Sequence, residues 1–279
     1  MTDDRGTARV EPRLSGVEET LLLPLWARAA ETQRPDAIIE DPTAVSLLRE
    51  IDYDFERFAH DWKSQLAIAV RTRLIDDAVG RFIHRHPAAL VVNLGAGLDS
   101  RFFRLDNGEL CWYDLDLPNV VAIKRRFFNE SRRYRFLESS VLDFGWMEAV
   151  ETRGRPVMII AEGLLMYFAR YQVRSLLRRL ADAFPGAEML IEVLAFGAVG
   201  MTRYHDTLRR FRASLKWSLA DSRELEQWHP AIRLLNEWCV LDYHRERWGW
   251  LGLVSENPWF RLLYGERILH LRFEKGEHR

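Results

Sequence analysis

Apolar runs of strand length alternate with helical patterns through the middle of the chain. Five runs are rich in aliphatic and aromatic residues; they occupy residues 89–94, 110–116, 134–140, 156–163 and 187–194. Between the last two, Val173, Leu177 and Phe184 recur at helical spacing. Near-continuous apolar strands separated by helices are typical of a parallel sheet that helices cover on both faces. The pattern therefore predicts an α/β fold.

A longer helical pattern precedes the first strand and carries one charged residue on its apolar side. Residues 62–83 repeat apolar positions at helical spacing, with Leu74, Ala78 and Phe82 on one face. Arg71 falls on that same face. Burying an arginine is unfavourable unless an anion pairs with it. We therefore predict that Arg71 binds an anion; the alternative is that its long side chain reaches solvent.

The two ends of the chain depart from this alternation. After a predicted disordered tail (residues 1–15), prolines interrupt short helical patterns across 17–58, which predicts a helical N-terminal cap. Residues 197–235 predict a helical insertion after the fifth strand. Residues 238–244 and 267–274 predict an antiparallel edge pair, because no crossover helix is evident between them. We predict one domain comprising tail and cap (1–60), cofactor-binding core (61–196), helical lid (197–235) and terminal strands (236–279).

Composition narrows the class of protein. The 279 residues are 48% hydrophobic and 29% charged, which is typical of a globular protein with a substantial core. The 40 basic and 41 acidic residues leave a formal charge of −1, without the basic excess that nucleic-acid binding needs. No apolar run reaches membrane-spanning length, and the start MTDDRGTARVEPR lacks the apolar core of a signal peptide. We expect a cytoplasmic protein that binds neither nucleic acid nor membranes.

Cysteine and tryptophan positions bear on metal and substrate binding. Cys111 and Cys239 are isolated in apolar runs, and no cluster of His, Cys and carboxylates has ligand spacing, so no metal is expected. Six of the ten tryptophans lie between residues 217 and 259. Either they pack in the core, or two or three of them form a wall for an apolar or aromatic substrate.

The first strand runs into the sequence NLGAGLDSR, residues 93–101. Gly95 and Gly97 stand where ligands bind in open α/β sheets, although glycines also serve turn geometry there. A dinucleotide-binding loop has a third glycine, and it binds the pyrophosphate at the N-terminus of the helix that follows. In this chain Ser100 stands at the position of the third glycine, and Asp99 adds a negative charge. Such a charge favours a cationic ligand, such as the sulfonium and ammonium of S-adenosylmethionine. Asp99 also suits a helix N-cap, and both roles are compatible.

Two further strand ends carry carboxylates. Asp114 and Asp116 end the second strand, 17 (114 − 97) and 19 (116 − 97) residues after Gly97. An acidic residue at about this distance binds ribose hydroxyls. Asp116 is preferred because it is nearer the strand end; the alternative is that both residues cap the next helix. Glu162 closes the fourth strand and is predicted to receive the cofactor's ammonium or to orient Arg71.

Three motifs in this order resemble one family. NLGAGLDSR, YDLDLP and AEGLLMY are similar to motifs of the leucine carboxyl methyltransferase family, which includes bacterial O-methyltransferases of polyketide biosynthesis. The likeness spans roughly residues 15–195, with Asp114 where the family often has glutamate, and leaves the C-terminal third unmatched. It implies a Rossmann-like, seven-stranded, mostly parallel sheet with an antiparallel terminal strand. It implies S-adenosyl-L-methionine contacts at Arg71, Gly95, Asp116 and Glu162, and adenine contacts at Ser140 and Val141.

The predicted reaction is methyl transfer from S-adenosylmethionine to an oxygen of a small-molecule acceptor, without a metal. The protein aligns the reactants and excludes water. A carboxylate acceptor needs no base, whereas a hydroxyl needs one. His205 and Tyr204 are the candidate bases, with His244 as another; each also suits a surface or packing role.

Two other classes of protein stay open at this stage. One is a dinucleotide-dependent oxidoreductase on a Rossmann fold, against which Asp99 and the missing third glycine count. The other is a catalytically inactive binding protein of the same fold.

Overall fold

The strands of the described chain form one sheet. The computed structural model describes residues 9–197, 199 and 214–276. The strands are β1 (Leu90–Leu94), β2 (Cys111–Asp116), β3 (Tyr134–Glu138), β4 (Val157–Ala161), β5 (Glu188–Val193), β6 (Ile232–Cys239) and β7 (Arg267–Phe273). Their order is β3-β2-β1-β4-β5-β7-β6. β1 to β5 pair in parallel, whereas β7 is antiparallel to both β5 and β6. The predicted Rossmann-like α/β fold is confirmed.

The sixth strand lies earlier in the chain than the pattern predicted. A strand was expected at residues 238–244, but β6 ends at Cys239. β6 lies at the edge of the sheet and its middle residues are exposed or half-buried, so it has no continuous apolar run. Val240 and Leu241, which suggested a strand, are buried in a 3₁₀ helix instead. Burial at this position comes from packing of a turn, which periodicity does not distinguish from a strand.

Helices cover both faces of the sheet. The α-helices are α1 (Leu22–Thr32), α2 (Pro42–Glu50), α3 (Trp62–Arg85), α4 (Arg101–Leu105), α5 (Pro118–Lys124), α6 (Trp146–Ala149), α7 (Arg170–Ala183), α8 (Trp250–Val254) and α9 (Pro258–Tyr264). Successive strand residues point to opposite faces. Accordingly, Val91 of β1 packs in the core that includes α3, whereas Leu90 and Val92 pack in the core that includes α7. The sheet is therefore buried on both sides, as predicted.

The N-terminal cap is helical, as predicted. It consists of α1, α2 and the 3₁₀ helices Glu18–Leu21 and Phe55–Phe58. Asp41 begins α2, and its Oδ1 accepts a hydrogen bond from the Ala44 N–H at 3.0 Å. The predicted disordered tail is wrong at Val10, whose backbone forms a bridge with Ile51. Residues 1–8 lie outside the described residues.

The connection between β6 and β7 contains α8 and α9, which the pattern did not predict. The region 197–235, predicted as a helical lid, lies partly outside the described residues. From residue 214 onward it contains the 3₁₀ helix Ser222–Gln227 and the start of β6, so the helical prediction is wrong for this part. No helix in the described ranges is long and apolar enough to cross a membrane.

Candidate active site

One cavity opens at the carboxyl ends of the parallel strands. Its volume of about 530 Å³ is within the range of small-molecule sites. It is lined by all eight residues predicted to contact the cofactor: Arg71, Gly95, Gly97, Asp99, Asp116, Ser140, Val141 and Glu162. Because β2, β1 and β4 are neighbours in the sheet, their ends bring together residues that are far apart in sequence.

Both glycines of the loop after β1 adopt conformations that favour glycine. Gly95 has φ +64° and Gly97 has φ +47°, in the left-handed region. A Cβ on Gly95 would lie 2.7 Å from Leu164 Cδ1, and one on Gly97 would lie 3.2 Å from Leu21 Cβ. Because these two positions have no side chain, the loop exposes its backbone to the cavity, and a ligand can approach it closely.

Asp116 holds the glycine loop in place, and its carboxylate can still accept hydrogen bonds from a ligand. Its Oδ2 accepts a hydrogen bond from the Gly97 N–H at 2.7 Å, and its Oδ1 accepts one from the Leu117 N–H at 2.8 Å. Burial raises the pKa of Asp116 even though these donors oppose the effect. Each carboxylate oxygen can accept a further hydrogen bond. Ribose hydroxyls would use this capacity and stabilise the charge, so Asp116 fits the predicted cofactor.

Asp114 has a different position from Asp116. It accepts hydrogen bonds from Trp112 Nε1 at 2.7 Å and from the Tyr134 hydroxyl at 2.6 Å, and it lies 2.5 Å from Lys124 Nζ. Lys124 also donates to the Gly97 carbonyl at 3.0 Å. Asp114 thus supports the loop through Lys124, and it is not among the residues that line the cavity.

Asp99 lines the cavity, but its charge is already paired. Its Oδ2 lies 2.5 Å from Arg101 Nη1, and its Oδ1 accepts the Arg101 backbone N–H at 3.0 Å. Burial opposes ionisation of Asp99, yet the guanidinium groups of Arg101 and Arg104 outweigh burial and hold its pKa well below the ordinary value. Ser100 is the N-cap residue of α4. A ligand would therefore meet an Asp99–Arg101 pair where the sequence indicated a lone carboxylate.

Arg71 is buried, so the alternative that its side chain reaches solvent is wrong. Its Nε donates to Glu162 Oε1 at 3.0 Å, and its Nη1 donates to Glu192 Oε1 at 2.7 Å. Arg101 Nη2 donates to the other oxygen of Glu162 at 2.6 Å. Nη2 of Arg71 donates to no residue in the described part of the chain, so it is available to a cofactor carboxylate. The hydrogen bond between Arg71 and Glu162 is compatible with the prediction that Glu162 orients Arg71.

Buried ion pairs connect this site to the N-terminal cap. Arg101 Nε lies 2.5 Å from Asp76 Oδ1, and Arg104 lies 2.8 Å from Asp76 and 2.9 Å from Asp41. Asp41 also pairs with Arg28 at 2.9 Å. The sequence analysis missed these partners because Asp76 falls on the polar face of α3 and because nothing in the motif containing Arg101 indicates that this arginine is buried. Helix packing, which spacing does not reveal, brings them together.

Two further carboxylates, Glu192 and Glu266, line the cavity beyond Glu162. Glu192 Oε2 accepts the Gly163 N–H at 2.6 Å. Glu266 Oε1 lies 3.8 Å from Arg71 Nη1 and is enclosed, and the Glu266 side chain is close enough to that of Glu192 to share a hydrogen bond with it. Burial raises the pKa of Glu192, and it raises the pKa of Glu266 to about 8, with the charge of Glu192 adding to the effect. Glu192 lies one residue before the end of β5, where an acidic residue is the same signal that marked Asp116, but the sequence analysis did not use it; Glu266 lies in the loop before β7, which gave no signal.

The candidate bases receive no support from the described structure. His205 and Tyr204 lie outside the described residues, so their role stays a prediction. His244 occupies a turn with φ +54° and its side chain is 41% exposed. It is not among the cavity residues, so its candidacy is wrong for this cavity.

Aliphatic and aromatic side chains other than tryptophan supply the apolar wall of the cavity. The wall includes Leu23, Ile68, Met166, Phe168 and Leu215. Trp217, Trp228 and Trp248 are buried in the core, whereas Trp250 and Trp259 are exposed. Trp217, Trp228 and Trp248 therefore pack in the core, which was one of the two predicted roles. None of the tryptophans is among the described residues that line the cavity.

Sequence comparison identifies relatives over nearly the whole chain. The family model for leucine carboxyl methyltransferase matches residues 22–181. The tetracenomycin polyketide synthesis O-methyltransferase TcmP of Streptomyces glaucescens is 36% identical over 269 residues, covering 94% of this chain and 98% of that protein. The S-adenosyl-L-methionine-dependent methyltransferase dpfgK of Gibberella zeae is 32% identical, covering 91% and 93%. The likeness to TcmP therefore extends through most of the C-terminal third, where the motifs found none.

Solved structures agree on the fold. A DUF574 family protein from Streptomyces avermitilis superposes with a TM-score of 0.55 at 13% identity, covering 90% of this chain and 97% of that one. At this identity the likeness concerns the fold alone. The site has features that suit the cofactor named for these relatives. They are an acidic residue free to bind ribose, a guanidinium nitrogen free to bind a carboxylate, and glycine backbone that no side chain covers. The chain belongs to the leucine carboxyl methyltransferase family and is an S-adenosylmethionine-dependent O-methyltransferase.

Proposed function

We propose that this enzyme methylates an oxygen of a small acceptor with an apolar or aromatic body, of the polyketide type for which its relative TcmP is named. The observation that carries the proposal is the two-part lining of the cavity. Charged groups at the ends of β1, β2 and β4 suit the cofactor, and aliphatic and aromatic side chains line the same cavity. The two cysteines in the described chain are unpaired, in keeping with a cytoplasmic enzyme.

The charged part suits a cationic cofactor better than a dinucleotide. Six carboxylate residues and three cationic residues are among those that line the cavity; they are Glu18, Asp99, Asp116, Glu162, Glu192 and Glu266, and Arg28, Arg71 and Lys216. An excess of negative charge remains even when Glu266 is counted as protonated, because its pKa is raised to about 8, and this excess attracts a sulfonium and repels a pyrophosphate. S-adenosylmethionine, when bound, supplies an already activated methyl group.

Residues of the chain would bind and orient this cofactor. Asp116 would accept hydrogen bonds from the ribose, and Arg71 Nη2 would donate to the methionine carboxylate. Ser140 and Val141 line the cavity after β3, at the place proposed for the adenine. Glu162 is proposed to receive the ammonium, although two arginines already share its oxygens.

The apolar part suits the acceptor and excludes water. Leu21 and Leu23 of the cap line the cavity together with Met166 and Phe168. Removing water strengthens the electrostatic interactions within the site and protects the methyl donor. Burial of planar apolar area also provides most of the binding free energy for an aromatic acceptor.

A ligand-dependent melting experiment tests the cofactor assignment. S-adenosylhomocysteine at about 100 times its Kd is expected to stabilise the folded protein by about 2.7 kcal/mol, whereas NAD is expected to leave the melting temperature unchanged. Transfer of labelled methyl from S-adenosylmethionine to an aromatic hydroxy or carboxylic acid tests the reaction. Stabilisation by NAD alone contradicts the proposal.

Asp116→Ala is expected to weaken S-adenosylhomocysteine binding. The substitution removes charge-assisted hydrogen bonds to the ribose and the bond that fixes Gly97. The expected loss is about 1–3 kcal/mol, which calorimetric titration measures as a higher Kd. Asp77→Ala is the control, because Asp77 pairs with Arg73 on the exposed side of α3. A Kd that is the same in both variants removes Asp116 from the cofactor site.

A further inference from the structure

Lys124 is a buried cation that contacts the glycine loop from the protein interior. It is the last residue of α5, and its side chain is 1% exposed. Its ammonium lies 5.5 Å from the centre of the Phe128 ring and 5.7 Å from that of Phe136. Lys124 is not among the described residues that line the cavity. Its influence on a ligand therefore passes through the residues that it contacts.

Each donor of the Lys124 ammonium has an acceptor. Nζ donates to the Gly97 carbonyl at 3.0 Å and to the Asp99 carbonyl at 3.2 Å, and it lies 2.5 Å from Asp114 Oδ2. An ammonium has three donors and no acceptor. The carboxylate of Asp114 neutralises the buried charge, and the other two donors hold the backbone of the loop.

The two carbonyls belong to the part of the loop that a ligand would contact, because residues 97–99 all line the cavity. The Gly97 N–H donates to Asp116 Oδ2 at 2.7 Å. Gly97 is therefore held at its N–H by the proposed ribose-binding carboxylate and at its carbonyl by Lys124. Both groups come from one short segment, since α5 begins two residues after Asp116.

A glycine at this position needs such support. Without a Cβ, Gly97 has access to more backbone conformations than other residues, and its φ of +47° is only one of them. The bonds from Lys124 and to Asp116 select this conformation. The next carbonyl, that of Leu98, accepts a hydrogen bond from Arg28 Nη2 at 3.0 Å. Charged donors thus orient three consecutive carbonyls, two of them through Lys124.

We propose that Lys124 is a positioning residue for S-adenosylmethionine, because it sets the conformation of the glycine loop and thereby the affinity for the cofactor. The proposal rests on the placement of the cofactor in the proposed function. A binding site that is ordered in advance loses less conformational entropy when its ligand binds. Lys124 contributes this order from outside the cavity.

Stability and cofactor affinity can be changed separately at this pair. Removing Lys124 alone leaves the carboxylate of Asp114 buried without its cation, whereas removing both charges avoids that cost. Asp114→Asn is suitable for the second change. The amide oxygen can accept from Trp112 Nε1, and the amide nitrogen can donate to the Tyr134 hydroxyl oxygen, so both neighbours keep a partner.

Lys124→Met and the double variant Asp114→Asn/Lys124→Met test the proposal. Methionine keeps an apolar stem of similar length but none of the donors. Calorimetric titration with S-adenosylhomocysteine, well below the melting temperature, is expected to show a Kd that is about 10- to 100-fold higher in both variants, because the ligand must then order the loop. The single variant is expected to melt about 10 °C below the wild type, and the double variant is expected to recover part of this loss.

Arg247→Met is the matched control for stability. Arg247 donates to both oxygens of Glu31, at 2.7 and 2.8 Å, and the Glu31 side chain is fully buried. Neither residue is among the described residues that line the cavity. This substitution also breaks a buried ion pair, so it is expected to lower the melting temperature to a similar extent. Its Kd for S-adenosylhomocysteine is expected to stay within about threefold of the wild-type value.

The outcomes separate this proposal from the proposed function. A Kd that rises less than about tenfold in the double variant contradicts the role of Lys124, as does a rise in Arg247→Met equal to that in Lys124→Met. The methyltransferase assignment stands in both cases. If the single variant fails to fold, the double variant decides, because it leaves no buried charge unpaired. If S-adenosylhomocysteine does not bind the wild-type enzyme, the proposed function itself fails.

Discussion

Arg101→Leu is expected to destabilise the protein by about 3–5 kcal/mol, because a buried ion pair that loses one partner leaves uncompensated charge. The Arg101 side chain is 1% exposed and bonds to three carboxylates: Asp76, Asp99 and Glu162. Leucine replaces the apolar stem but none of the five donors. At about 2–4 °C per kcal/mol for a chain of this size, the melting temperature is expected to fall by about 10 °C.

Arg73→Leu provides the control for this substitution. It makes the same chemical change on α3, but Arg73 forms an exposed pair with Asp77, so the expected change is within about 0.5 kcal/mol. Urea unfolding of both variants at pH 7 measures the difference. Equal stabilities would show that the carboxylates around Arg101 hold no net charge or are solvated in the folded protein.

The parallel part of the sheet could be predicted because each of its strands is buried on both faces. Such strands are continuous apolar runs, and glycines and acids at their ends then indicate the ligand side. The same logic found Asp116 at the end of β2 and Gly95 after β1. It failed for β6, an edge strand that is polar in its middle, and for α8 and α9, which lie between two strands expected to be directly connected.

The charged groups of the site also divide into those that could be predicted from the sequence and those that could not. Arg71 could be predicted because a charge on an apolar helix face is a local anomaly. Glu192, near the carboxyl end of β5, had the same signal as Asp116 and was overlooked. Arg101 and Glu266 could not be predicted, because each belongs to the site only through partners at a distance in sequence. Arg101 Nη2 meets Glu162 across 61 positions, and Arg71 Nη1 meets Glu192 across 121. Periodicity and motif spacing contain no information on such pairs.

Arg71→Leu is expected to weaken S-adenosylhomocysteine binding about 10- to 150-fold, the equivalent of about 1.5–3 kcal/mol for a lost hydrogen bond between charged groups. It is also expected to destabilise the protein in a pH-dependent manner. Arg71 opposes the rise in the pKa of Glu192 and of Glu266 that burial causes. Without it, both carboxyl groups in the folded protein will bind protons more tightly still.

The sign of the pH dependence follows from linkage. Between the unfolded value of 4.5 and the raised folded values, the folded protein binds more protons than the unfolded chain. Stability therefore falls as pH rises through this window, and it falls more steeply in Arg71→Leu than in the wild type. Urea unfolding at pH 5, 6.5 and 8 measures a deficit that is smallest at pH 5. A deficit that is constant with pH would mean that Glu192 and Glu266 do not depend on Arg71 for their charge.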